Sequence, residues 1–353
     1  MTKFIQFHLL TAYAPANLNR DDTGRPKTAI MGGIERLRVS SQSLKRAWRI
    51  SEKFGEALSG NIGVRTRRLG RDIYQKLLDK GVTEKSALAT AAKIAEQFGK
   101  LKNDKGAKGD LVNLDIEQLV HISPDEQQQI DQLLALLAEQ GGREPQDDEL
   151  KLLRAQAGGV DIALFGRMLA SAPGFNVEAA CQVAHAIGVS AVTIEEDFFT
   201  AVDDLNRKEE DAGSAHMGEQ GFASALFYSY ICISRDLLLK NLNGDEELVK
   251  RTLRALAETV VTVSPTGKQN SFATRAYASY VLAEIGEQQP RSLAVAFFNP
   301  VRSDNQVAEA TQRLEEQYKK FDRAYGVCAE RRYVMNVESG EGSLSELLDF
   351  ICQ

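Results

Sequence analysis

The sequence predicts an α+β fold in which the two ends of the chain build one domain and a helical insertion projects from it. Strand-like segments rich in aromatic and β-branched residues stand on either side of the middle of the chain, at residues 3–11 and 222–234. Apolar residues at helical spacing dominate the stretch from 65 to 140. Since strands and helices interleave on either side of this stretch, one mixed domain with an insertion is the simplest arrangement.

The first forty residues predict two strands joined by a long loop. Gln6 and His8 interrupt the apolar run at residues 3–11, which favours a strand over a signal peptide. Residues 14–33 are rich in glycine and proline and predict a loop. Residues 34–40 then predict the second strand.

The rest of the chain predicts further elements from periodicity and composition. Helices are expected at residues 65–81, 83–100, 123–140, 179–190, 245–261 and 305–326, and strands or extended segments at 191–205, 222–234, 275–287 and 292–300. The helix at 123–140 has the clearest start signal, because Ser123 is followed by a proline and two acidic residues. Residues 100–110 and 141–149 are polar, glycine-containing loops.

The charge distribution is uneven. The chain has 353 residues and a formal net charge of -6, which on average argues against a nucleic-acid-binding protein. Residues 20–76, however, hold 14 Lys/Arg against 6 Asp/Glu, a local net charge of +8, so the remainder carries -14. Because attraction depends on the local field, this basic segment suits a polyanionic partner, although composition alone favours a solvated charged face.

Several classes of function lack support. The four cysteines have no CxxC spacing and the four histidines are scattered, so we expect no metal site and no cofactor. His185 is interpreted as a core residue on the apolar face of the helix at 179–190. No Walker, Rossmann or nucleophile-elbow motif occurs. No apolar stretch is long enough to span a bilayer, and the cysteine pattern favours the cytoplasm.

The segment RLRVSSQSLKRAWR, residues 36–49, predicts a strand end followed by a capped helix. Ser40 or Ser41 supplies the N-cap of a helix that runs to about residue 54. Its apolar face, formed by Leu44, Ala47 and Trp48, is expected to bury against a sheet.

The same segment predicts an anion-binding site. Cations near a helix start oppose the helix dipole, and an external anion would resolve that conflict. Serine hydroxyls and the free N–H groups of the first turn suit phosphate oxygens. The cations that would surround the phosphate are Lys27, Arg36, Arg38, Lys45, Arg46 and Arg49.

The order of several motifs resembles one known family. The motifs are LNRDD at 18–22, Lys27, GG at 32–33, RxRVSSQSLKRA at 36–47, GVDIALFGRM at 159–168, and FFTAVDDL with GSAHMG within 198–222. Together they resemble the CasC family, the guide-RNA backbone subunit of the type I-E CRISPR surveillance complex, Cascade. Residues 70–157 match poorly, and the C-terminal third matches mainly in its order of elements.

The resemblance implies a hand-shaped fold and an assembly. A ferredoxin-like, RRM-related palm would comprise residues 1–59 and 224–353, helical fingers residues 60–193, and a β-hairpin thumb residues 194–223. Copies of the chain would stack head to tail along one CRISPR RNA, which is a heterologous assembly. The implied partners are CRISPR RNA, further copies of the chain, other Cascade subunits and target DNA through the guide duplex, with no membrane.

The resemblance also implies which residues hold the guide. Contacts to the RNA backbone would be sequence-independent, as a scaffold for any guide requires, and the bases would stay available for pairing. Trp48 is interpreted as a core anchor, with stacking on RNA as the alternative. The backbone contacts would come from Arg20, Lys27, Arg38, Ser40, Gln42, Lys45, Arg46 and Arg49.

The resemblance implies that the thumb also contacts the guide RNA. Family members use it to push one nucleotide out of the duplex at a regular interval, and an apolar wedge between stacked bases bends nucleic acid. The matching positions here are Met168, Phe199 and Thr200. For each residue taken singly, a place in the core is the competing interpretation.

The loop at residues 100–110 suggests contact with target DNA. It carries Lys100, Lys102, Lys105 and Lys108, which would grip the duplex or the displaced strand. A solvated surface loop is the competing interpretation.

Two other functions stay open at this point. Asp21 and Asp22 adjoin Arg20 and suit a metal-dependent ribonuclease, because distant backbone relatives in RNA-targeting complexes cut with a loop aspartate. The competing interpretation is that these carboxylates orient Arg20 and Arg25 or cap the loop, and we favour it because the type I-E resemblance implies binding without cutting. The other alternative is a monomeric RRM-like regulator, against which the thumb motif argues.

Overall fold

The computed structural model describes residues 3–103, 110–201 and 216–352. Within them lie eleven strands: β1 (Phe4–Ala16), β2 (Thr28–Met31), β3 (Ile34–Val39), β4 (Val64–Thr66), β5 (Val120–Ile122), β6 (Cys181–Val183), β7 (Ala186–Gly188), β8 (Glu195–Ala201), β9 (His216–Ser234), β10 (Tyr280–Gly286) and β11 (Arg331–Asn336). The same residues form eleven α-helices: α1 (Ser41–Arg49), α2 (Glu52–Ala57), α3 (Leu69–Asp79), α4 (Glu84–Phe98), α5 (Pro124–Glu139), α6 (Val160–Phe165), α7 (Arg235–Asn241), α8 (Glu246–Thr262), α9 (Gln269–Phe272), α10 (Gln306–Tyr325) and α11 (Leu344–Ile351).

The chain divides into two compact units. The first unit takes the described residues within 1–54, 182–234 and 253–353. The second unit takes those within 55–181 and 235–252. Residues near both ends of the chain therefore share the first unit, and the second unit is inserted into it.

The first unit is built on one large sheet. Its strands follow the order β11-β10-β1-β9-β7-β3-β2, and β6 and β8 also pair with β9. β1 runs antiparallel to both β10 and β9, with Phe4 opposite Gly286 on one side and Ser234 on the other. This combination of an antiparallel sheet with helices confirms the predicted mixed α and β architecture.

β1 lies at the centre of the sheet, and both of its faces are covered. Leu10 packs in one apolar cluster with Leu314 of α10. On the other face Leu9 lines a small cavity of about 20 Å³ together with Leu44 and Trp48 of α1. Trp48 is only 2% exposed, so the predicted apolar face of α1 and the core role of Trp48 are confirmed.

Two polar side chains of β1 are buried, and each has a hydrogen-bond partner. The Tyr230 hydroxyl donates to the Gln6 Oε1 (2.8 Å). His8 Nε2 donates to Glu284 (3.2 Å), and the Tyr228 hydroxyl donates to His8 Nδ1 (2.9 Å). Buried polar groups are tolerated when they are hydrogen-bonded, and the predicted strand at residues 3–11 is confirmed.

The second unit is largely helical, as the periodicity predicts. Helices α3, α4 and α5 bury one apolar cluster that includes Ile73, Ile94 and Leu134. A capping box begins α5: the Ser123 hydroxyl accepts from the Glu126 N–H, and the Glu126 carboxylate accepts from the Ser123 N–H. Across the described ranges of both units, no helix is sufficiently long and apolar to cross a bilayer.

Two predicted elements are wrong. Residues 179–190, predicted as a helix, form β6 and β7, because Ile187 and Gly188 pair with Tyr228 and Phe227 of β9. Residues 292–300, predicted as a strand, form a 3₁₀ turn at Ala294–Phe297. Leu293, directly before this turn, and Phe297, its last residue, both bury into the core.

The sequence reasoning also missed regular structure. Part of the predicted loop at 14–33 is β2, which forms a hairpin with β3. Gly32 and Gly33 make its two-residue turn at φ 62° and 76°, a backbone conformation that residues other than glycine rarely adopt. The edge strand β11 and the helix α11 were not predicted.

Candidate nucleic-acid interface

The loop that carries Arg20 is closed by its own hydrogen bonds. The Lys27 N–H donates to the Asn19 carbonyl (2.9 Å). The side-chain amide of Asn17 donates to the carbonyls of Gly24 (3.0 Å) and Gly221 (2.8 Å). The loop therefore has a fixed shape, and it holds the exposed Arg20 next to the base of the β8–β9 hairpin.

Asp21 shapes this loop. Its Oδ1 accepts from the Thr23 N–H (2.9 Å), the Thr23 hydroxyl (2.7 Å) and the Arg25 N–H (3.0 Å). These hydrogen bonds, that from the Thr23 hydroxyl foremost, hold the pKa of Asp21 below its ordinary value. The arrangement matches the prediction that Asp21 caps the loop. Among the described residues no group of three or more His, Cys, Asp or Glu side chains could hold a metal ion.

The helix α1 begins beside the same loop. Ser40 is its N-cap, and its hydroxyl accepts from the Ser43 N–H (3.3 Å). The Ser40 N–H donates to the Asn19 side chain (2.8 Å), which ties the helix start to the Arg20 loop. The first turn contains no acidic residue, so the positive end of the helix dipole is not balanced there by a carboxylate. The predicted Ser40 cap is confirmed, but the predicted end near residue 54 is wrong: α1 ends at Arg49, so Arg46 lies in its last turn, where a cation suits the helix dipole.

Arg20 and Arg46 line one open cleft. The cleft has a volume of about 350 Å³. Its walls are the Arg20 loop, the outer face of α1 and a third segment at Thr266 and Gly267. Both arginines are exposed, so the structure brings two predicted RNA-binding cations to one surface.

The polar face of α1 has graded exposure. Gln42 and Arg46 are exposed, while Lys45 and Arg49 are half-buried. By contrast Ser40 is only 6% exposed, and its hydroxyl already accepts the capping hydrogen bond. In this arrangement Ser40 shapes the helix start, and the longer side chains are the ones that extend to the surface.

Lys27 and Arg38 meet at the edge of the sheet. The Arg38 N–H donates to the Lys27 carbonyl (2.8 Å), and Arg38 Nε donates to the Thr28 carbonyl (3.2 Å). The Arg38 guanidinium also donates to Nδ1 of His185 (2.8 Å). Burial and the charges of Arg38 and Lys27 lower the pKa of His185, so the ring is neutral and accepts this bond. His185 is exposed beside the cations, and its predicted place on a buried helix face is wrong.

Arg36 is the predicted cation that the structure removes from the site. It is fully buried, and its guanidinium donates to the carbonyls of Gly188, Val189, Phe297 and Phe298. The segment at Phe297 and Phe298 covers Arg36, and the charge count alone does not reveal this burial. Arg36 is therefore a structural residue.

The β8–β9 hairpin separates the predicted wedge residues. Phe199 faces Gly218, and a Cβ added to Gly218 would lie 2.6 Å from the Phe199 ring. Thr200 lies on the opposite face, since adjacent residues of a strand point to opposite sides. It is opposite Met217, which is 61% exposed.

Thr200 also shares its face with Phe198, which is likewise 61% exposed. The sequence reasoning missed Phe198 and Met217. Alternation along the two strands was the signal that could have found them, because it places both on the Thr200 side. The tip of the predicted thumb lies outside the described residues.

The remaining predicted residues belong to the second unit. Met168 is 79% exposed and lines a cleft of about 270 Å³ together with Lys100. Lys100 pairs with Glu117 (2.9 Å), and Lys102 lies 3.8 Å from Asp115. Lys105 and Lys108 lie outside the described residues.

Comparison with known proteins identifies relatives of the whole chain. The family model described as CT1975-like protein matches residues 5–349. A solved chain described as "CRISPR RNA-guided surveillance complex, pre-nicking" superposes with a TM-score of 0.85 at 29% identity, covering 99% of both chains. Another, described as "CRISPR RNA-guided surveillance complex", has a TM-score of 0.73 at 24% identity with the same coverage and supports the fold. No curated protein matches the chain.

Proposed function

Because the chain belongs to the CT1975-like protein family, we propose that it is a non-catalytic CRISPR RNA-binding backbone subunit of a type I-E surveillance complex. Membership in this family confirms the resemblance to CasC that the motifs indicated. The proposal keeps residues 1–59 and 224–353 as a ferredoxin-like, RRM-related palm, residues 60–193 as the helical fingers and residues 194–223 as the thumb hairpin. The protein would act in antiviral defence in the cytoplasm.

One observation carries the RNA-binding part of this proposal. The exposed Arg20 and Arg46 line one cleft along the outer face of α1, a helix that contains no acidic residue. A phosphate in this cleft would meet two guanidinium groups, which bind phosphate oxygens in a bidentate manner. None of these groups reads a base, so the contacts suit a guide of any sequence.

The state of Asp21 supports a non-catalytic role. Its Oδ1 already accepts three hydrogen bonds within the loop, so that oxygen serves the loop rather than a reacting phosphate. We therefore do not favour the alternative of a metal-dependent ribonuclease that uses Asp21 or Asp22. The exposed apolar hairpin argues equally against a monomeric RRM-like regulator, which has no use for such an arm.

The proposed assembly places copies of the chain head to tail along one guide. The thumb of each copy would cross the RNA, with Thr200 and its exposed neighbours Phe198 and Met217 at the displaced nucleotide. Apolar side chains that enter a base stack displace a base in this way. Target DNA would then pair with the guide bases between successive thumbs.

The test is to express the chain with a CRISPR RNA and the other subunits from its operon, and to footprint the bound RNA. Regularly spaced accessible nucleotides across the guide, lost when residues 195–221 are trimmed, are the expected result. Bound RNA of random length without a periodic pattern would favour the monomeric regulator. RNA cut at intervals in the presence of divalent metal, and intact with Asp21→Asn, would favour the ribonuclease.

A further inference from the structure

The segment at residues 264–275 forms a wall of the cleft and has no assigned role. Thr266 and Gly267 line the cleft of about 350 Å³ that contains Arg20 and Arg46. Lys268 lines a neighbouring cleft of about 480 Å³, which Arg20 also lines. Arg20 thus stands between two clefts, and this segment borders both of them.

The segment is packed closely against the Arg20 loop. A Cβ added to Gly267 would lie 2.2 Å from the Leu18 carbonyl oxygen and 2.8 Å from that of Asn17. No side chain can occupy that space, so only glycine permits this approach of the two backbones. The position of Lys268 is therefore fixed relative to the residues that lead into Arg20.

The segment is also held at its other end. The Phe272 ring packs on Phe222 at the base of the β8–β9 hairpin, with 5.8 Å between the ring centroids. The Thr274 hydroxyl donates to the side chain of Gln269 (3.3 Å). Contacts at both ends hold the intervening backbone in one shape.

Lys268 occupies a strained backbone conformation. It has φ 50° and ψ 32°, in the left-handed region that residues other than glycine or asparagine rarely adopt. Such strain persists only where the surroundings impose it, and it concentrates at functional sites. The Lys268 side chain is exposed and lines a cleft with Arg20 and Arg25.

The charges around Lys268 favour an anion only narrowly. Glu196 and Glu219 also line this cleft, against the three cations Arg20, Arg25 and Lys268. Arg25 pairs with Glu196 (3.1 Å), and among the described residues no ion pair involves Lys268. Lys268 and Arg20 are thus the two cations of the cleft that have no carboxylate partner in the described part of the chain.

We propose that Lys268 is an additional phosphate ligand for single-stranded RNA, held between Arg20 and the base of the hairpin by the 264–275 segment. This inference rests on the proposed function and extends it by one contact. The phosphate would belong to the nucleotide next to the one at Arg20, where the RNA passes under the hairpin. Because lysine contacts phosphate as a point charge, the contribution is independent of base sequence.

The experiment measures binding of the full chain to a labelled single-stranded RNA at a series of NaCl concentrations. Lys268→Ala is expected to weaken binding roughly threefold to tenfold and to lower the salt slope by about 0.7, the value for one phosphate contact on a single strand. The loss should be equal for poly(U) and for a mixed sequence. Lys268→Arg should retain affinity.

Three controls separate the alternatives. Lys268→Gly removes the charge and relieves the backbone strain, so it must weaken binding as much as Lys268→Ala does. Normal binding by Lys268→Gly would overturn the proposal. Lys320→Ala, on α10 across the sheet from α1, should change nothing. If Arg20→Ala weakens binding and Lys268→Ala does not, only the inference on Lys268 is wrong and the proposed RNA-binding function stands. If neither weakens binding, the proposed RNA-binding function fails as well.

Discussion

At the scale of single residues, the two arginines of β3 differ most clearly in their surroundings. Arg38 reaches the sheet edge beside Lys27, whereas Arg36 is buried among four carbonyl oxygens. The two are separated by one residue, so they lie on the same side of the strand, and what differs is the neighbouring structure. Arg36 meets the turn at Phe297 and Phe298, which covers it.

Replacing Arg36 should destabilise the protein strongly. Arg36→Ala leaves several buried carbonyl groups without donors, and we expect a loss of about 3 kcal/mol in the free energy of unfolding. Urea denaturation followed by circular dichroism measures this. Arg302→Ala, at an exposed position, is the matched control and should stay within about 0.5 kcal/mol of the parent. A cost for Arg36→Ala below that of the control would contradict the structural role.

The buried His8–Glu284 pair predicts a pH dependence of stability. Burial lowers the pKa of His8 below 6.5, so the folded protein holds the ring neutral. Burial alone would raise the pKa of Glu284, but hydrogen bonds from His8 and Arg291 hold it well below its ordinary value. As the pH falls below about 6.5 the unfolded chain binds a proton at His8 that the folded chain does not, so stability falls. Below about 4.5 Glu284 adds to the loss in the same direction.

The measurement is the urea midpoint between pH 7 and pH 5. The parent should lose stability with a slope of at most about 1.4 kcal/mol per pH unit from this group. His8→Gln should flatten the slope, whatever its effect on the absolute stability. His185→Gln is the comparison, because the exposed His185 should contribute less. An identical slope in the parent and in His8→Gln would show that His8 is not held neutral.

At the scale of elements, α1 joins the core to the candidate interface. One face buries Leu44 and Trp48 against the sheet, and the other presents Arg46 to the cleft. The Ser40 cap and the Asn19 side chain fix its start relative to the Arg20 loop. A helix anchored on one side holds its surface cations in place, which lowers the entropy lost when they bind an anion.

Trp48 provides a direct test of this division of faces. It is the only tryptophan of the chain, so intrinsic fluorescence reports on it alone. We expect blue-shifted emission and little quenching by acrylamide, unchanged when RNA is added. Quenching by RNA would instead indicate that a base stacks on Trp48.

Removing the Trp48 ring should affect stability through packing. Trp48→Ala is expected to cost about 3–5 kcal/mol in the free energy of unfolding, because it leaves a cavity between α1 and the sheet. Trp48→Phe preserves most of the apolar volume and should cost clearly less. Equal costs for both variants, measured by urea denaturation, would contradict the packing explanation.

At the scale of the whole molecule, each unit carries its own candidate surface. The first unit holds the cleft lined by Arg20 and Arg46, and the second holds Lys100 and Lys102. Glu117 is exposed and pairs with Lys100 at the surface, where an ion pair contributes about 0–1 kcal/mol and leaves the lysine available to a polyanion. Lys102 lies 3.8 Å from Asp115, which is only 6% exposed.

Charge reversal should separate guide binding from target binding. In the assembled complex, the double variant Lys100→Glu, Lys102→Glu is expected to weaken binding of target DNA severalfold and to leave the retained guide RNA unchanged. The loss should shrink as the salt concentration rises. The control is Lys80→Glu with Lys85→Glu, which changes the net charge equally at exposed positions of the same unit. Unchanged affinity for the target DNA would contradict the proposal that these lysines contact it.

Local patterns in the sequence were enough to predict the mixed architecture, the capped helix α1 with its apolar face, the helical second unit and the family. These features follow from local periodicity, capping residues and motif order, which can be recognised without knowledge of the tertiary structure. The sequence also pointed to Arg20 and Arg46 as cations of one surface.

The remaining features depend on how distant segments of the chain pack together. Residues 179–190 have a helix-like pattern, yet pairing with β9 makes them strands, since long-range hydrogen bonds override weak local propensity. The burial of Arg36 and the approach of Gly267 to Leu18 both depend on residues distant in the chain. A charge or an aromatic ring acts through its neighbours, and folding supplies those neighbours from segments that the local sequence does not specify.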